Sequence, residues 1–173
     1  PVIRCSGELL RIGEDKLMPD DTLALAEEIF AINNYKEKFE AKGEADLLMK
    51  GTLPTDKYMR AILNKEAGLC PPKSVLGHVS VFEWAGYHKL LLASDIAILP
   101  LPDFKQKQAL IGYLGKVANA LGVATPKIAC IAAMELVNVA MPAMAEAAIL
   151  SKMADRGQLG NVIVDGPLSL DVA

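Results

Sequence analysis

The sequence predicts an α/β fold with two lobes, and three observations support that prediction. Aromatic residues make up 5% of the chain and hydrophobic residues 52%, so the core must consist mainly of aliphatic side chains and Met. Such a core suits helices packed on a sheet better than two packed sheets. Helical and strand patterns alternate in the second half, as in a parallel sheet with crossover helices. A Pro-rich segment, Pro100–Asp103, separates a predicted first lobe (1–102) from a second (103–173).

Charge and cysteine content exclude several classes of protein. The net charge is −3 and acidic and basic residues are interspersed, so the chain has no basic tract for a nucleic acid. Cys5, Cys70 and Cys130 are odd in number and lack metal-ligand spacing, which indicates a reducing compartment. Cys130 lies in an apolar run and is predicted to be a buried core thiol.

The ends of the sequence and its hydropathy bear on location. The first residues, PVIRCSGELLRIGEDK, contain acids where a signal peptide needs an apolar stretch. No apolar run is long enough to span a bilayer, since the run at 128–134 stops at Glu135. We therefore expect a cytoplasmic protein without a membrane partner. The sequence starts at Pro and ends just after a predicted strand, so we also expect it to be incomplete.

The first lobe is predicted to combine helices with an antiparallel hairpin. Thr55 is expected to cap the second helix, because its hydroxyl can accept from free backbone N–H groups. A loop of hairpin length separates the last two strands. The predicted elements are a helix at 22–41, a strand at 45–49, a helix at 56–65, and strands at 74–82 and 90–99.

The second lobe is predicted to be a parallel strand–helix–strand unit preceded by a helix. Asp103 can cap the first helix, and Gly122 is placed to end it. The continuous apolar run at 127–134 is typical of a strand buried on both faces. An Ala-rich helix at 143–154 and a buried strand at 161–164 follow.

Ligands of open parallel sheets bind at the carboxyl ends of the strands, and three predicted loops lie there. Lys50 and Gly51 end the first strand, and an ammonium with backbone amides at such a turn can hold an anion. Taken alone, however, a Lys that simply leaves the strand for water is the favoured interpretation. The other two loops are Glu135–Pro142 and Asp165–Pro167.

The polar residues of these loops have alternative interpretations. Glu135 and Asn138 can bind a ligand or satisfy the loop backbone, and the residues favour neither. Asp165 can orient a substrate group or cap local amides, and the following Gly-Pro slightly favours the second. His78, inside a predicted strand, can act as a general base, but a structural hydrogen-bonding role is favoured. His88 is expected to be solvated, and two histidines without partners at ligand spacing predict no metal site.

Several segments together resemble the phosphate acetyl/butyryl transferase family, and its butyryl branch most closely. They occur in the family's order and spacing over roughly residues 43–173. The segments are GEADLLMKG (43–51), the helix start at Thr55-Asp56, LGHVSVFEWAGYHKLLLASDIAI (76–98), LGVATPKIACIAAMELVNVAMP (121–142), LSKMADRGQ (150–158) and DGPLSLD (165–171).

The resemblance implies a two-lobed α/β/α sandwich like that of the isocitrate/isopropylmalate dehydrogenases, with the active cleft between the domains. It implies homodimers and the reaction acyl-CoA + phosphate ⇌ acyl phosphate + CoA, with coenzyme A as substrate and no metal or redox cofactor. Seven residues are then candidates for substrate binding: Lys50, Gly51, Gly77, His78, Glu135, Asn138 and Asp165.

The sequence also departs from the family pattern. Gly77 replaces a usual Ser, Leu99 a usual Asn, and Ala140 a usual Lys. The family's Ser-Arg pair and nearby Asp, which are assigned to phosphate binding and thiol deprotonation, lie well beyond DGPLSLD. No catalytic residue can therefore be carried over. These departures leave a second hypothesis open, a non-catalytic acyl-CoA-binding module of the same fold.

Overall fold

The computed structural model describes residues 3–5, 47–49, 54–66 and 68–173. The helix predicted at 22–41 and the Lys50-Gly51 turn lie outside these described residues. The elements are β1 (Ile3–Cys5), β2 (Leu47–Met49), α1 (Thr55–Ile62), β3 (Ser80–Phe82), β4 (Leu91–Ala93), α2 (Phe104–Ala120), β5 (Lys127–Ile131), α3 (Pro142–Asp155) and β6 (Ile163–Leu168). Among the described helices, none combines the length and the apolar character needed to cross a bilayer.

The chain divides into two compact units, Pro1–Ser74 and Val75–Ala173. In the first unit β1 pairs in parallel with β2, and Arg4 lies opposite Leu48. The boundary predicted from the sequence, between residues 102 and 103, falls inside the second unit at the start of α2. The division into functional domains stays a prediction.

Helix α1 begins one residue earlier than expected. Pro54 occupies the position before the helix, and its carbonyl accepts from the Tyr58 N–H at 3.0 Å. Thr55 is therefore the first helical residue, and the prediction that it caps the helix is wrong. The extended ψ of 139° at Pro54 already supplies the change in chain direction that a capping residue provides. The helix ends at Ile62, and Ala61 and Ile62 are buried.

The predicted antiparallel hairpin is confirmed, but its strands are short. β3 pairs with β4, and Val81 lies opposite Leu92. The predicted strands extended back to residue 74 and forward to residue 99. The ladder ends sooner because side chains take the place of its next bonds: the His78 N–H donates to Asp95 and the His78 carbonyl accepts from Ser94. His78 therefore lies before β3, and its placement inside a strand was wrong.

Helix α2 starts and ends where the sequence predicts. Asp103 Oδ1 accepts from the Gln106 N–H, and Gln106 Oε1 accepts from the Asp103 N–H, both at 2.8 Å. This reciprocal pair satisfies two backbone donors at the helix start. Gly122 adopts a φ of 90° just beyond the helix, a conformation that glycine reaches without steric cost.

Strands β5 and β6 are parallel and joined by α3, as predicted, but they are not buried on both faces. Exposure alternates along β5, and Ile131 remains 51% exposed. Ile163, opposite Lys127, is 50% exposed. Because side chains alternate across a strand, one face of this pair packs and the other meets solvent in the described part of the chain. A continuous apolar run does not specify what covers each face.

The packed face belongs to a core that joins both helices to the sheet. Ile111 of α2, Leu150 of α3 and Val164 of β6 are its buried members, each at most 4% exposed. An ion pair between Lys107 and Glu146, with Nζ and Oε2 2.5 Å apart, also connects α2 with α3. The second unit thus supplies a fixed base for the loops at the strand ends.

Candidate substrate-binding site

Glu135 and Ser169 meet at the carboxyl ends of β5 and β6. The Ser169 hydroxyl donates to Glu135 Oε1, and the Ser169 N–H donates to the same oxygen at 3.3 Å. The Ser169 hydroxyl bond lowers the pKa of Glu135 below its ordinary value. Glu135 is exposed, so a carboxylate remains accessible at this edge of the sheet. Its bonds also hold the two strand ends together.

Asn138 organises the loop that leads from β5 into α3. Its Oδ1 accepts from the Ala140 N–H and its carbonyl accepts from the Met141 N–H, both at 3.0 Å. This is the backbone-satisfying role that the sequence left open. Within the described residues the Asn138 amide nitrogen makes no hydrogen bond, so it remains able to donate to a ligand.

Asp165 lies inside β6 and not beyond its end, which corrects the prediction of a strand at 161–164. It faces Ala129 on the solvent side of the sheet and accepts from the Gly166 N–H at 2.8 Å. The strand continues to Leu168 because the register shifts between Ala129 and Ile131. Such an irregularity accommodates a proline, here Pro167, that cannot donate to the ladder.

Gly166 is required by close packing. A Cβ atom at this position would lie 2.7 Å from Cys130 Cβ and 2.9 Å from the Cys130 carbonyl oxygen. Cys130 itself is partly buried beside the core, close to the buried position predicted for it. Burial raises the pKa of its thiol, while the Lys107 ammonium lowers it and the Asp165 carboxylate raises it further. Cys130 is therefore a packing residue with a weakly acidic thiol.

His78 is fixed mainly through its backbone, in line with the structural role that the sequence favoured. Its N–H donates to Asp95 Oδ2 at 2.8 Å, and its carbonyl accepts from Ser94 Oγ at 2.6 Å. Its Nδ1 lies 3.4 Å from Ser80 Oγ. His88, by contrast, is exposed in the hairpin loop, as expected.

Gly77 packs against α2. A Cβ atom there would approach Leu110 Cδ2 more closely than real Cβ atoms do, and would lie 3.3 Å from Tyr113 Cδ2. The Tyr113 hydroxyl also donates to the Val75 carbonyl at 2.6 Å. Leu110 therefore occupies the space that the serine usual at position 77 would need.

Two of the seven candidates, Lys50 and Gly51, lie outside the described residues. The other five belong to the second unit: Glu135 and Asn138 lie on one loop, Asp165 on the neighbouring strand, and Gly77 and His78 before the hairpin. Among the described residues, no group of three or more His, Cys, Asp and Glu side chains could hold a metal ion. The absence of a metal or redox cofactor stays a prediction.

Sequence reasoning missed Ser169 and Asp95. Ser169 bonds to a residue 34 positions away and Asp95 to one 17 positions away, so no local pattern indicated these pairs. The one available signal was position. Ser169 directly follows β6, and Asp95 follows β4 by two residues.

These features define a mixed α/β protein with polar side chains at the carboxyl ends of a parallel strand pair. The solved branched-chain phosphotransacylase from Enterococcus faecalis V583 has a similar fold, with a TM-score of 0.68 and 28% identity. The similarity covers 86% of this chain and 49% of that one. The family model described as phosphate acetyl/butaryl transferase matches residues 25–173, and the chain belongs to this family.

The names of curated relatives agree with this family assignment. The chain is 45% identical over 131 residues to phosphate butyryltransferase of Clostridium acetobutylicum, covering 76% of this chain and 43% of the relative. It is 44% identical over 131 residues to phosphate acetyltransferase of Thermotoga maritima, covering 76% of this chain and 44% of the relative. The family and the butyryltransferase branch predicted from the sequence are confirmed. The chain thus spans less than half the length of these relatives.

Proposed function

We propose that this chain belongs to an enzyme that exchanges a short-chain acyl group between coenzyme A and inorganic phosphate. The observation that carries the proposal is the match of one transferase family to residues 25–173. In the reaction a phosphate oxygen attacks the thioester carbonyl, and the coenzyme A thiolate leaves. The reverse reaction re-forms the thioester from acyl phosphate. No catalytic residue is assigned to this chain.

The polar groups at the strand ends support a positioning role in that reaction. The Asn138 amide nitrogen can donate to an acyl carbonyl or a phosphate oxygen. Glu135 is a carboxylate and would repel phosphate, so we assign it to holding the loop through Ser169. Holding two reactants in line, and donating to charge as it develops, are the contributions expected of such a cleft. Gly77, His78 and Asp165 remain proposed substrate-binding residues, and so do Lys50 and Gly51.

We propose butyryl or branched short-chain acyl groups as the substrate class. The names of the relatives include both butyryl and acetyl transferases, and the solved structure is titled a branched-chain enzyme. Each methylene in an apolar pocket changes binding by about 0.8 kcal/mol, so neighbouring chain lengths differ only several-fold in affinity. A panel of acyl-CoA substrates therefore determines the preferred acyl group better than sequence identity to the relatives does.

The test uses the full-length gene product. Acetyl-, butyryl- and isobutyryl-CoA are each incubated with and without phosphate, and the free thiol is followed with time. We expect thiol release that depends on phosphate and is fastest with a four-carbon acyl group. Thiol release that is equal without phosphate, or absent for every acyl-CoA, would disprove the proposal.

The alternative of a non-catalytic acyl-CoA-binding module is not favoured, because the named relatives are transferases. Calorimetry separates the two, since a module binds coenzyme A without turnover. Three further expectations belong to the proposal: the dehydrogenase-like α/β/α sandwich, a homodimer, and a cytoplasmic location. Analytical ultracentrifugation of the full-length product checks the second of these.

A further inference from the structure

Asp95 links three backbone N–H groups at the base of the hairpin. Its Oδ1 accepts from Ala97 at 2.9 Å and from Ile98 at 2.8 Å. Its Oδ2 accepts from His78 at 2.8 Å. One carboxylate thus connects the segment before β3 with the turn after β4. Oδ2 bonds to the first of these and Oδ1 to the second.

The bonds to Asp95 favour its ionised form. Burial raises the pKa of Asp95, but the backbone N–H bonds, above all those from Ile98, Ala97 and His78, outweigh it, so the pKa lies below its ordinary value. Hydrogen bonds to an ionised acceptor are shorter and stronger than neutral ones. Asp95 therefore acts as a charged anchor at neutral pH.

The segment that Asp95 anchors is also fixed from other directions. Ser94 Oγ donates to the His78 carbonyl at 2.6 Å, so the side chains of two adjacent residues satisfy both backbone groups of His78. On the α2 side, the Tyr113 hydroxyl donates to the Val75 carbonyl at 2.6 Å. Side chains from two directions thus hold the segment that contains His78, and both backbone groups of His78 are hydrogen-bonded.

The imidazole of His78 retains one free nitrogen. Its Nδ1 lies 3.4 Å from Ser80 Oγ, whereas its Nε2 has no hydrogen-bond partner among the described residues. A fixed backbone and a ring nitrogen without a protein partner among the described residues leave the imidazole able to bond to a ligand.

We propose that Asp95 is a positioning residue, which fixes His78 so that the imidazole contacts the acyl-CoA or phosphate of the proposed site. This inference rests on the proposed function and adds to it a residue that acts through another. It predicts that Asp95 affects turnover only while His78 is present.

The test variant is Asp95→Asn in the full-length gene product. Asn can keep an oxygen toward Ala97 and Ile98 and place its NH2 group at the former Oδ2 position, which removes the acceptor of the His78 N–H alone. The flipped amide would lose two bonds, so it is disfavoured. Glu83→Gln, an exposed carboxylate in the same hairpin, is the matched control.

Amide hydrogen exchange directly measures how strongly Asp95 protects the His78 N–H. We expect exchange of the His78 amide to become at least about tenfold faster in Asp95→Asn, with a smaller change at Ala97 and Ile98, and no change in Glu83→Gln. Unchanged protection of the His78 amide would overturn the inference. The melting midpoint, measured in parallel, establishes that each variant is folded.

A double-mutant cycle measures whether Asp95 affects turnover through His78. Asp95→Asn should lower kcat/KM for acyl-CoA by about threefold or more, but by less than about twofold when combined with His78→Gln. His88→Gln, on the hairpin loop, should leave the effect of Asp95→Asn unchanged. A loss that is equal in the parent and His78→Gln backgrounds marks Asp95 as merely structural and overturns the inference.

The two proposals fail in different ways. If the parent protein shows no thiol release that depends on phosphate, the proposed function fails by itself, and the same cycle is measured as coenzyme A affinity by calorimetry. Equal losses in both backgrounds there overturn the inference about Asp95. If the parent turns over normally but the cycle is additive, only the inference fails.

Discussion

At the scale of single residues, Ser169 connects two carboxylates that are both exposed. Its hydroxyl donates to Glu135, and a hydrogen bond with the Ser169 side chain also lowers the pKa of Asp171. A hydroxyl has one proton, so it donates to one carboxylate at a time. Ser169 thereby favours the ionised form of these carboxylates without being ionisable itself.

Ser169→Ala should raise the pKa of both Glu135 and Asp171 toward their ordinary values. Because the folded-state pKa of each is lowered, the stabilisation they supply is present above the unfolded pKa. It is lost as the pH falls through the folded pKa. Carbon-detected NMR titration of the carboxyl groups measures the shift, and Ser80→Ala is the control. Unchanged carboxyl titrations in Ser169→Ala would contradict this assignment.

The buried and exposed sides of α3 allow a paired test of the core. Leu150 is 2% exposed, whereas its neighbour Ile149 is 51% exposed. Leu150→Ala should lower the free energy of unfolding by about 2–5 kcal/mol, because it loses burial and leaves a cavity. Ile149→Ala should change it by about 1 kcal/mol or less. Urea unfolding measures both, and similar losses would contradict the described core.

How well residues were predicted depended on whether their partners are near in sequence. Glu135 and Asn138 lie in the loop after β5, as expected, because the apolar run before them marks the strand. Asp165 was misplaced, since a Pro two residues later normally ends a strand. Ser169 and Asp95 were missed, since their partners come from other elements and only the folded chain brings them together.

At the scale of elements, the start of α2 could be predicted from the sequence, whereas the start of α1 could not. The Asp103 cap was predicted because an acidic residue before a helical pattern is a local signal, and Gln106 completes it. The prediction that Thr55 caps α1 was wrong, because Pro54 occupies the capping position. The prediction that β5 is buried on both faces was wrong for a different reason, because the rest of the fold decides which face of the strand is covered.

Asp103→Ala should lower the free energy of unfolding by about 0.5–2 kcal/mol, because it removes the side-chain acceptor of the Gln106 N–H. Thr55→Ala should change it by less than about 0.5 kcal/mol, since Thr55 makes no capping bond in α1. Thermal and urea unfolding, run on both variants, provide the comparison. Equal losses would restore Thr55 as a cap.

At the scale of the whole molecule, the proposed function predicts which ligand should stabilise the native state. A ligand that binds only the folded protein raises its stability by about 2.7 kcal/mol at one hundred times its dissociation constant. We expect coenzyme A to raise the melting midpoint of the full-length product. Glutathione, a thiol without the nucleotide, should not. Equal shifts with both would indicate that the thiol alone is recognised.

The exposed hairpin has a consequence for handling the protein. Residues 81–91 are all exposed, and each strand has three residues. Few backbone bonds must open before a protease can bind such a segment, and Lys89 lies within it. Brief digestion with trypsin should therefore cut after Lys89 sooner than after Lys107, which is held in its ion pair on α2. Protection of Lys89 by an added ligand would then provide a simple gel-based assay of occupancy.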